Sequence, residues 1–280
     1  MARASAARRK PAGSPPGALD RTMTTKAVYE SEFSKSAVTK GQVLMVATSC
    51  DSFADGATPT GLWLSELADP YYIFKSQGYD VTIASPKGGA VPIVPASTED
   101  GALTAEARRF NDDAEASQQL KASVALAEIH DPASYDCVFL PGGHGPMFDL
   151  SGDAKLAQIV TDAFGAGKCV AAVCHGPAGL LSARAPGGGG GGEGGGLLVA
   201  GKRVTGFTAD EERAAGKEGK VPFLLDERLA AAGARVYTGP AMQPHVEVDG
   251  LLVTGQNPAS AAAVAEAAVR VMGGGGAAQA

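Results

Sequence analysis

The stretch Cys169-Val-Ala-Ala-Val-Cys174-His175-Gly-Pro177 constrains the fold of this chain more than any other. Residues Cys169 to Val173 are small, apolar and partly β-branched, so they predict a strand with no polar face, as in a parallel sheet covered on both sides. Gly176-Pro177 then opens a short helical run, Ala178 to Ala183, with proline near its first position. A cysteine at such a strand-to-helix turn projects from the carboxyl edge of the sheet, where open α/β folds place ligands. The partial positive charge of a helix start favours a thiolate there. Cys174 therefore has the placing of a nucleophile at a sharp elbow, with an imidazole next to it.

The same alternation runs along the chain. Strands are predicted at Gln42–Thr48, Asp80–Ala84, Asp136–Leu140, Lys202–Thr205 and Arg235–Thr238. A helix over Gly61–Gln77 is bent or broken near Pro70. Thr104–His130 is polar and Ala-rich and predicts a peripheral helix. Ser151 is placed to cap a helix that reaches Ala166, with Asp153 in its first turn. A helix is expected around Pro222–Ala232 and a closing helix over Ala259–Met272. Val246–Val248 and Leu251–Thr254, joined by Asp249-Gly250, predict a hairpin. The pattern gives an α/β fold with a mostly parallel sheet sandwiched by helices.

One domain is expected over residues 42–272. Residues 1–41 form a basic extension: Arg3, Arg8, Arg9, Lys10, Arg21 and Lys26 stand against Asp20 alone in the first 26 residues. This segment fits disorder or an organelle transit segment, which sets a plastid or mitochondrion beside the cytoplasm as the compartment. Residues 185–196 are an almost pure glycine insertion, expected as a surface loop, and 273–280 a flexible tail. A net charge of −6 offers no basic surface for nucleic acid, and no apolar run approaches a membrane span. Cys50, Cys137, Cys169 and Cys174 show no CxxC pair and suit a reducing compartment, with Cys137 and Cys169 in core strands. The four histidines show no metal-ligand spacing, so no metal is expected.

Seven segments together resemble one family. They are Thr60-Gly-Leu-Trp-Leu-Ser-Glu66, Ala84-Ser-Pro-Lys-Gly-Gly89, Leu140-Pro-Gly-Gly-His-Gly-Pro-Met147, Val170-Ala-Ala-Val-Cys-His-Gly-Pro177, Val204-Thr-Gly-Phe-Thr208, Val221-Pro-Phe-Leu-Leu225 and Thr254-Gly-Gln-Asn-Pro-Ala-Ser260. The chain resembles the ThiJ/PfpI superfamily, which has a flavodoxin-like, class I glutamine-amidotransferase-like fold. Within it, the likeness is to the branch of glyoxalase III enzymes and heat-shock chaperones. The likeness spans about Gln42 to Met272; the basic extension and the glycine insertion depart from it.

The resemblance implies a glutathione-independent conversion of methylglyoxal to lactate, described in reverse as a lactate dehydratase, without cofactor or metal. It makes Cys174 the nucleophile, His175 its base and Glu212 the residue that orients the histidine. Asp210, in the same acidic cluster, stays open as an alternative to Glu212. Glu66 becomes an acid that hydrogen-bonds the thiol. The Gly142-Gly143 turn and the N–H of His175 would form an oxyanion hole, with Gly143 and His144 lining the substrate pocket. The implied partners are a small 2-oxoaldehyde, a second copy in a homodimer, and unfolded client proteins if the chain is a holdase or a protein deglycase. A cysteine amidase or peptidase is the remaining alternative. His245-Val-Glu247 offers a rival His-x-Glu pair, as in true amidotransferases. Val246 and Val248 alternate as a strand would, which leaves His245 and Glu247 on its other face and gives His245 a pocket-edge or surface role.

Overall fold

The structure is a computed structural model, and it describes residues 39–186 and 195–274. The basic extension up to residue 38, the glycines of the insertion from 187 to 194, and residues 275–280 of the tail lie outside the described residues.

Among the described residues, seven strands form one sheet. They are β1 (Gly41–Val46), β2 (Tyr79–Ser85), β3 (Val124–Ala125), β4 (Cys137–Leu140), β5 (Cys169–Val173), β8 (Val246–Asp249) and β9 (Leu252–Gly255). Their order is β3-β2-β1-β4-β5-β9-β8. All neighbours are parallel except β8, which pairs with β9 as the far arm of the expected hairpin. Its turn is Gly250-Leu251, one residue later than Asp249-Gly250, because Asp249 pairs with Leu252. The remaining strands, β6 (Arg203–Val204) and β7 (Arg235–Val236), pair with each other in a separate ribbon.

The uninterrupted apolar runs are explained by burial on both faces. Val43, Met45, Phe139, Ala171 and Val173 face one layer. Leu44, Val46, Val138, Leu140, Val170 and Ala172 face the other. The first layer is closed by α1 (Leu64–Ser76) and α8 (Ala261–Met272), through Leu67, Phe74, Val264 and Ala268. The second is closed by α5 (Ala154–Gly165), through Leu156, Ile159 and Val160. Cys137 and Cys169 sit side by side in the register of β4 and β5, buried in the sheet.

Some elements differ from expectation. Thr104–His130 is two short helices, α2 (Ala105–Asp112) and α3 (Ala114–Lys121), because Asp113 ends the first and caps the second by accepting from the Glu115 and Ala116 N–H groups. Pro70 stays inside α1. The cap of α5 is Asp153, whose Oδ1 accepts from Leu156 N–H at 2.7 Å, whereas Ser151 Oγ turns back to Met147 O. The run after the elbow is a single 3-10 stretch, Gly176–Leu180, not an α-helix. The glycine insertion leaves and returns at one point, since Ala185 N–H donates to Gly196 O at 2.9 Å.

The strand order reverses between β1 and β4, and that switch point is where such folds form ligand crevices. The segments after β1, β4 and β5 meet there. The capping assignment makes a simple expectation. Asp153→Ala should lower unfolding free energy by about 1 kcal/mol in urea melts, while Ser151→Ala should stay within about 0.5 kcal/mol of wild type.

Candidate active site

Cys174 follows β5 with φ of 60°, in the left-handed region that non-glycine residues avoid. Holding it there costs on the order of 1–3 kcal/mol. The strain turns Sγ away from the strand axis and toward the crevice. The imidazole of His175 folds back beside it, with Nδ1 3.3 Å from Sγ. His175 Nε2 lies 2.9 Å from Glu212 Oε2. Glu212 comes from a short helix, α6 (Ala209–Ala214), started by a capping box in which Thr208 and Glu211 bond reciprocally. Asp210 points outward and pairs with Arg213 at 2.7 Å; it does not reach the histidine.

Glu66 approaches from the first turn of α1 and is fully buried. Its Oε2 accepts from Gly142 N–H at 2.8 Å, and the same carboxyl interacts with the Cys174 thiol. Among the described residues no nitrogen or oxygen partners Oε1. This bond alters the expected oxyanion hole. The Gly142 N–H is committed to Glu66, which leaves the N–H groups of Gly143 and His175 to favour negative charge at the sulfur. Both glycines are required by space. A Cβ on Gly142 would stand 2.8 Å from the Cys174 Cβ, and one on Gly143, at φ of 91°, would stand 2.2 Å from Gly61 O.

His144, next in this turn, completes the pocket. Its Nε2 lies 2.7 Å from Glu212 Oε1, so one carboxylate serves two imidazoles. The two rings pack 4.2 Å apart between centroids, tilted by 39°. Phe207 packs on His175 at 4.5 Å and Phe53 on His144 at 5.2 Å. The aromatic walls leave His175 only 1% exposed and the His144 side chain 15%.

Burial decides the charges. It holds His175 down to about 4, with His144 adding to the effect, so the imidazole is neutral at pH 7. Burial raises Glu66 to about 8, so that carboxyl keeps its proton. Burial also opposes ionisation of Glu212, but the N–H groups of His144 and His175 outweigh it and hold the carboxyl near 2. Cys174 departs from the sequence expectation. Burial and the Glu66 carboxyl push its thiol well above the ordinary range, against the Gly143 and His175 N–H groups. The expected helix dipole is one 3-10 stretch of five residues and does not offset a sealed environment. The resting pair is thus a neutral thiol beside a neutral imidazole. With Nε2–H donated to Glu212, the Nδ1 lone pair of His175 faces Sγ and is placed to take its proton.

His144, His175 and Glu212 also form the metal-ligand grouping that the sequence spacing did not reveal, with one ligand atom from each lying within 4.8 Å of the others. Those atoms hydrogen-bond one another, so a cation would have to displace both imidazole protons. His245 and Glu247 stand apart from this array. Glu247 is buried against Arg203, which donates from Nε and Nη2 at 3.0 and 2.6 Å, and Val248 is exposed. The expected facing of β8 thus fails at Glu247 and Val248, because Arg203 of β6 covers the side that Glu247 occupies, while Val246 stays half-buried against the core.

Sequence reasoning sees Glu211 only as an acidic neighbour of Glu212 and gives it no role. It is fully buried and accepts from Met242 N–H at 2.8 Å, Gln256 Nε2 at 3.0 Å, Asn257 Nδ2 at 2.8 Å and Thr208 N–H at 3.0 Å. The Gln-Asn pair of the Thr254–Ser260 segment was the available signal, since two adjacent amides after a buried strand need a common acceptor.

The Glu66 carboxyl has a consequence for stability. Its folded value of about 8 exceeds the ordinary 4.5, so its contribution is complete below pH 4.5 and is lost as pH rises toward 8. Urea unfolding at pH 5 and pH 8.5 should show wild type losing stability relative to Glu66→Gln. A constant difference would mean that Glu66 is ionised in the folded protein at both pH values.

The model of the DJ-1/PfpI family matches residues 59–271. The glutathione-independent glyoxalase hsp3102 of Schizosaccharomyces pombe is 33% identical over 241 residues, covering 83% of this chain and 98% of that protein. Glyoxalase 3 of Candida albicans is 31% identical over 235 residues, covering 80% and 95%. The crystal structure of glyoxalase III from Candida albicans superposes with a TM-score of 0.73 at 29% identity, over 82% of this chain and 97% of that one. Rapid Encystment Protein 24 KDa of Francisella tularensis gives 0.77 at 33% identity, over 83% and 99%. With its crevice at the β1/β4 switch point and these likenesses over most of its length, the chain belongs to the DJ-1/PfpI family.

Proposed function

We propose that this protein is a glutathione-independent glyoxalase that converts methylglyoxal to lactate. The observation that carries the reading is a protonated Glu66 and a neutral His175 on either side of one buried thiol. Isomerising a 2-oxoaldehyde needs a nucleophile, a base and an acid that becomes a base, and these groups fill those roles. Relatives named as glutathione-independent glyoxalases support it.

His175 Nδ1 takes the thiol proton as Sγ adds to the aldehyde carbon. The oxygen develops negative charge beside the Gly143 and His175 N–H groups, then receives the Glu66 proton to give a hemithioacetal. The Glu66 carboxylate takes the hydrogen from the former aldehyde carbon, forming an enediolate, and returns it to the neighbouring carbon. The hydroxyl proton passes to the neighbouring oxygen. The product is a lactoyl thioester on Cys174, an isomer of the hemithioacetal that needs no redox partner. Water then releases lactate.

Exposed Tyr237, Met242 and Val248 fall within one stretch of sequence. They favour a second role for that stretch, in a homodimer or in holding unfolded clients.

Lactate should form from methylglyoxal without glutathione. Cys174→Ala should abolish it, and Glu66→Gln and His175→Ala should each cut kcat/KM by about 10²-fold or more. The kcat/KM profile should rise through pH 4 as His175 loses its proton and fall above pH 8 as Glu66 loses its own. If Cys174→Ala makes lactate as fast as wild type, the reading is wrong. A wild-type protein that only suppresses client aggregation, unchanged by Cys174→Ala, would leave the holdase role.

A further inference from the structure

The isomerisation leaves one pocket imidazole without a task. Glu212 is ionised and only accepts, so His175 and His144 each donate Nε2–H to it, at 2.9 and 2.7 Å. Each ring then keeps an open Nδ1 lone pair. That of His175 faces Sγ. That of His144 has no hydrogen-bond partner among the described residues. The His144 ring lies against His175 yet reaches solvent, 15% exposed against 1%.

The two halves of the reaction make different demands. By the time the thioester forms, His175 carries the thiol proton and must return it to the departing sulfur. It is an acid at that stage and has no free lone pair for water. Glu66 is a carboxylate at that stage but is fully buried, so the base for an incoming water must stand on the solvent side and be held in one tautomer. We propose that His144 is the general base of thioester hydrolysis, so that Glu212 serves two His dyads, one for the thiol and one for water. The inference rests on the glyoxalase reading.

In this step His144 Nδ1 takes a proton from water as the oxygen bonds to the thioester carbonyl carbon. The C–S bond breaks and His175 Nδ1–H protonates Sγ. The lactic acid proton restores Glu66, and His144 releases its proton to solvent. One water is consumed, and one lactate and one proton leave. The aromatic contact of His144 with Phe53 keeps the ring facing the crevice.

His144→Gln retains an amide donor for Glu212 and removes the base. His144→Phe retains the ring packing and removes both. Each is mixed with methylglyoxal and followed by intact-protein mass spectrometry, lactate release and methylglyoxal loss. Both variants should consume one methylglyoxal per Cys174 in a burst, accumulate an adduct of that mass, and release lactate about 10²-fold more slowly than wild type. Hydroxylamine, which needs no base, should discharge the adduct as lactohydroxamate, the mark of a thioester, and restore turnover in His144→Gln. Wild-type lactate rates in both variants would overturn the proposal. So would loss of the burst together with lactate in folded His144→Gln, since His144 would then act only through Glu212. A wild-type protein that makes no lactate would instead overturn the glyoxalase reading itself.

Discussion

Two carboxyls, a thiol and two imidazoles share a nearly sealed crevice, and burial there penalises every charged form. Glu212 nonetheless keeps its charge, because two N–H groups converge on its oxygens at 2.7 and 2.9 Å. The other protonation states follow from that placement. An acceptor-only carboxylate takes its N–H from Nε2 of each ring, which leaves the Nδ1 lone pair of His175 facing Sγ. Glu66 has one backbone donor at 2.8 Å, too little to offset its burial, and it keeps its proton. The same desolvation yields a base in one place and an acid in another, and the number of N–H groups decides which.

The backbone carries the strain that makes this packing possible. Cys174 occupies a left-handed conformation at the end of β5, and Gly142 admits no Cβ without contact with Cys174. Such positions persist only where their surroundings over-determine them. Here Cys174 N–H bonds Gly255 O of β9, and its carbonyl accepts from Phe207 N–H, each at 2.9 Å. The elbow is thereby clamped between the sheet and the segment leading to Glu212.

Much of this was legible in the chain, for identifiable reasons. A strand buried on both faces has no polar position, so Cys169–Val173 declared its place and boundaries without ambiguity. The motif turns marked the crevice because their glycines answer to close approach. What failed depended on partners far away in sequence. Val248 and Glu247 exchange the faces expected from alternation because Arg203 waits on the other side. Asp153 displaces Ser151 as a cap because a hydroxyl at 151 can satisfy Met147 O instead. The thiol direction was misjudged because a dipole is local and visible, whereas desolvation is a sum over the whole fold.

Adjacent glutamates on α6 show how the fold divides structure from chemistry. Glu211 and Glu212 differ by one helical step, about 100°, and so face different surroundings. Glu211 gathers the N–H groups of Met242, Gln256, Asn257 and Thr208, tying the segment after β9 and the loop before β8 to the start of the helix. Glu212 gathers only the two imidazoles of the crevice. A short helix of six residues has little stability of its own. The capping box and the Glu211 contacts supply what the helix lacks, and they hold the Glu212 carboxylate within hydrogen-bond reach of two rings. The position of the Glu212 carboxylate is thus set by a neighbouring residue whose own carboxyl bonds none of the crevice side chains.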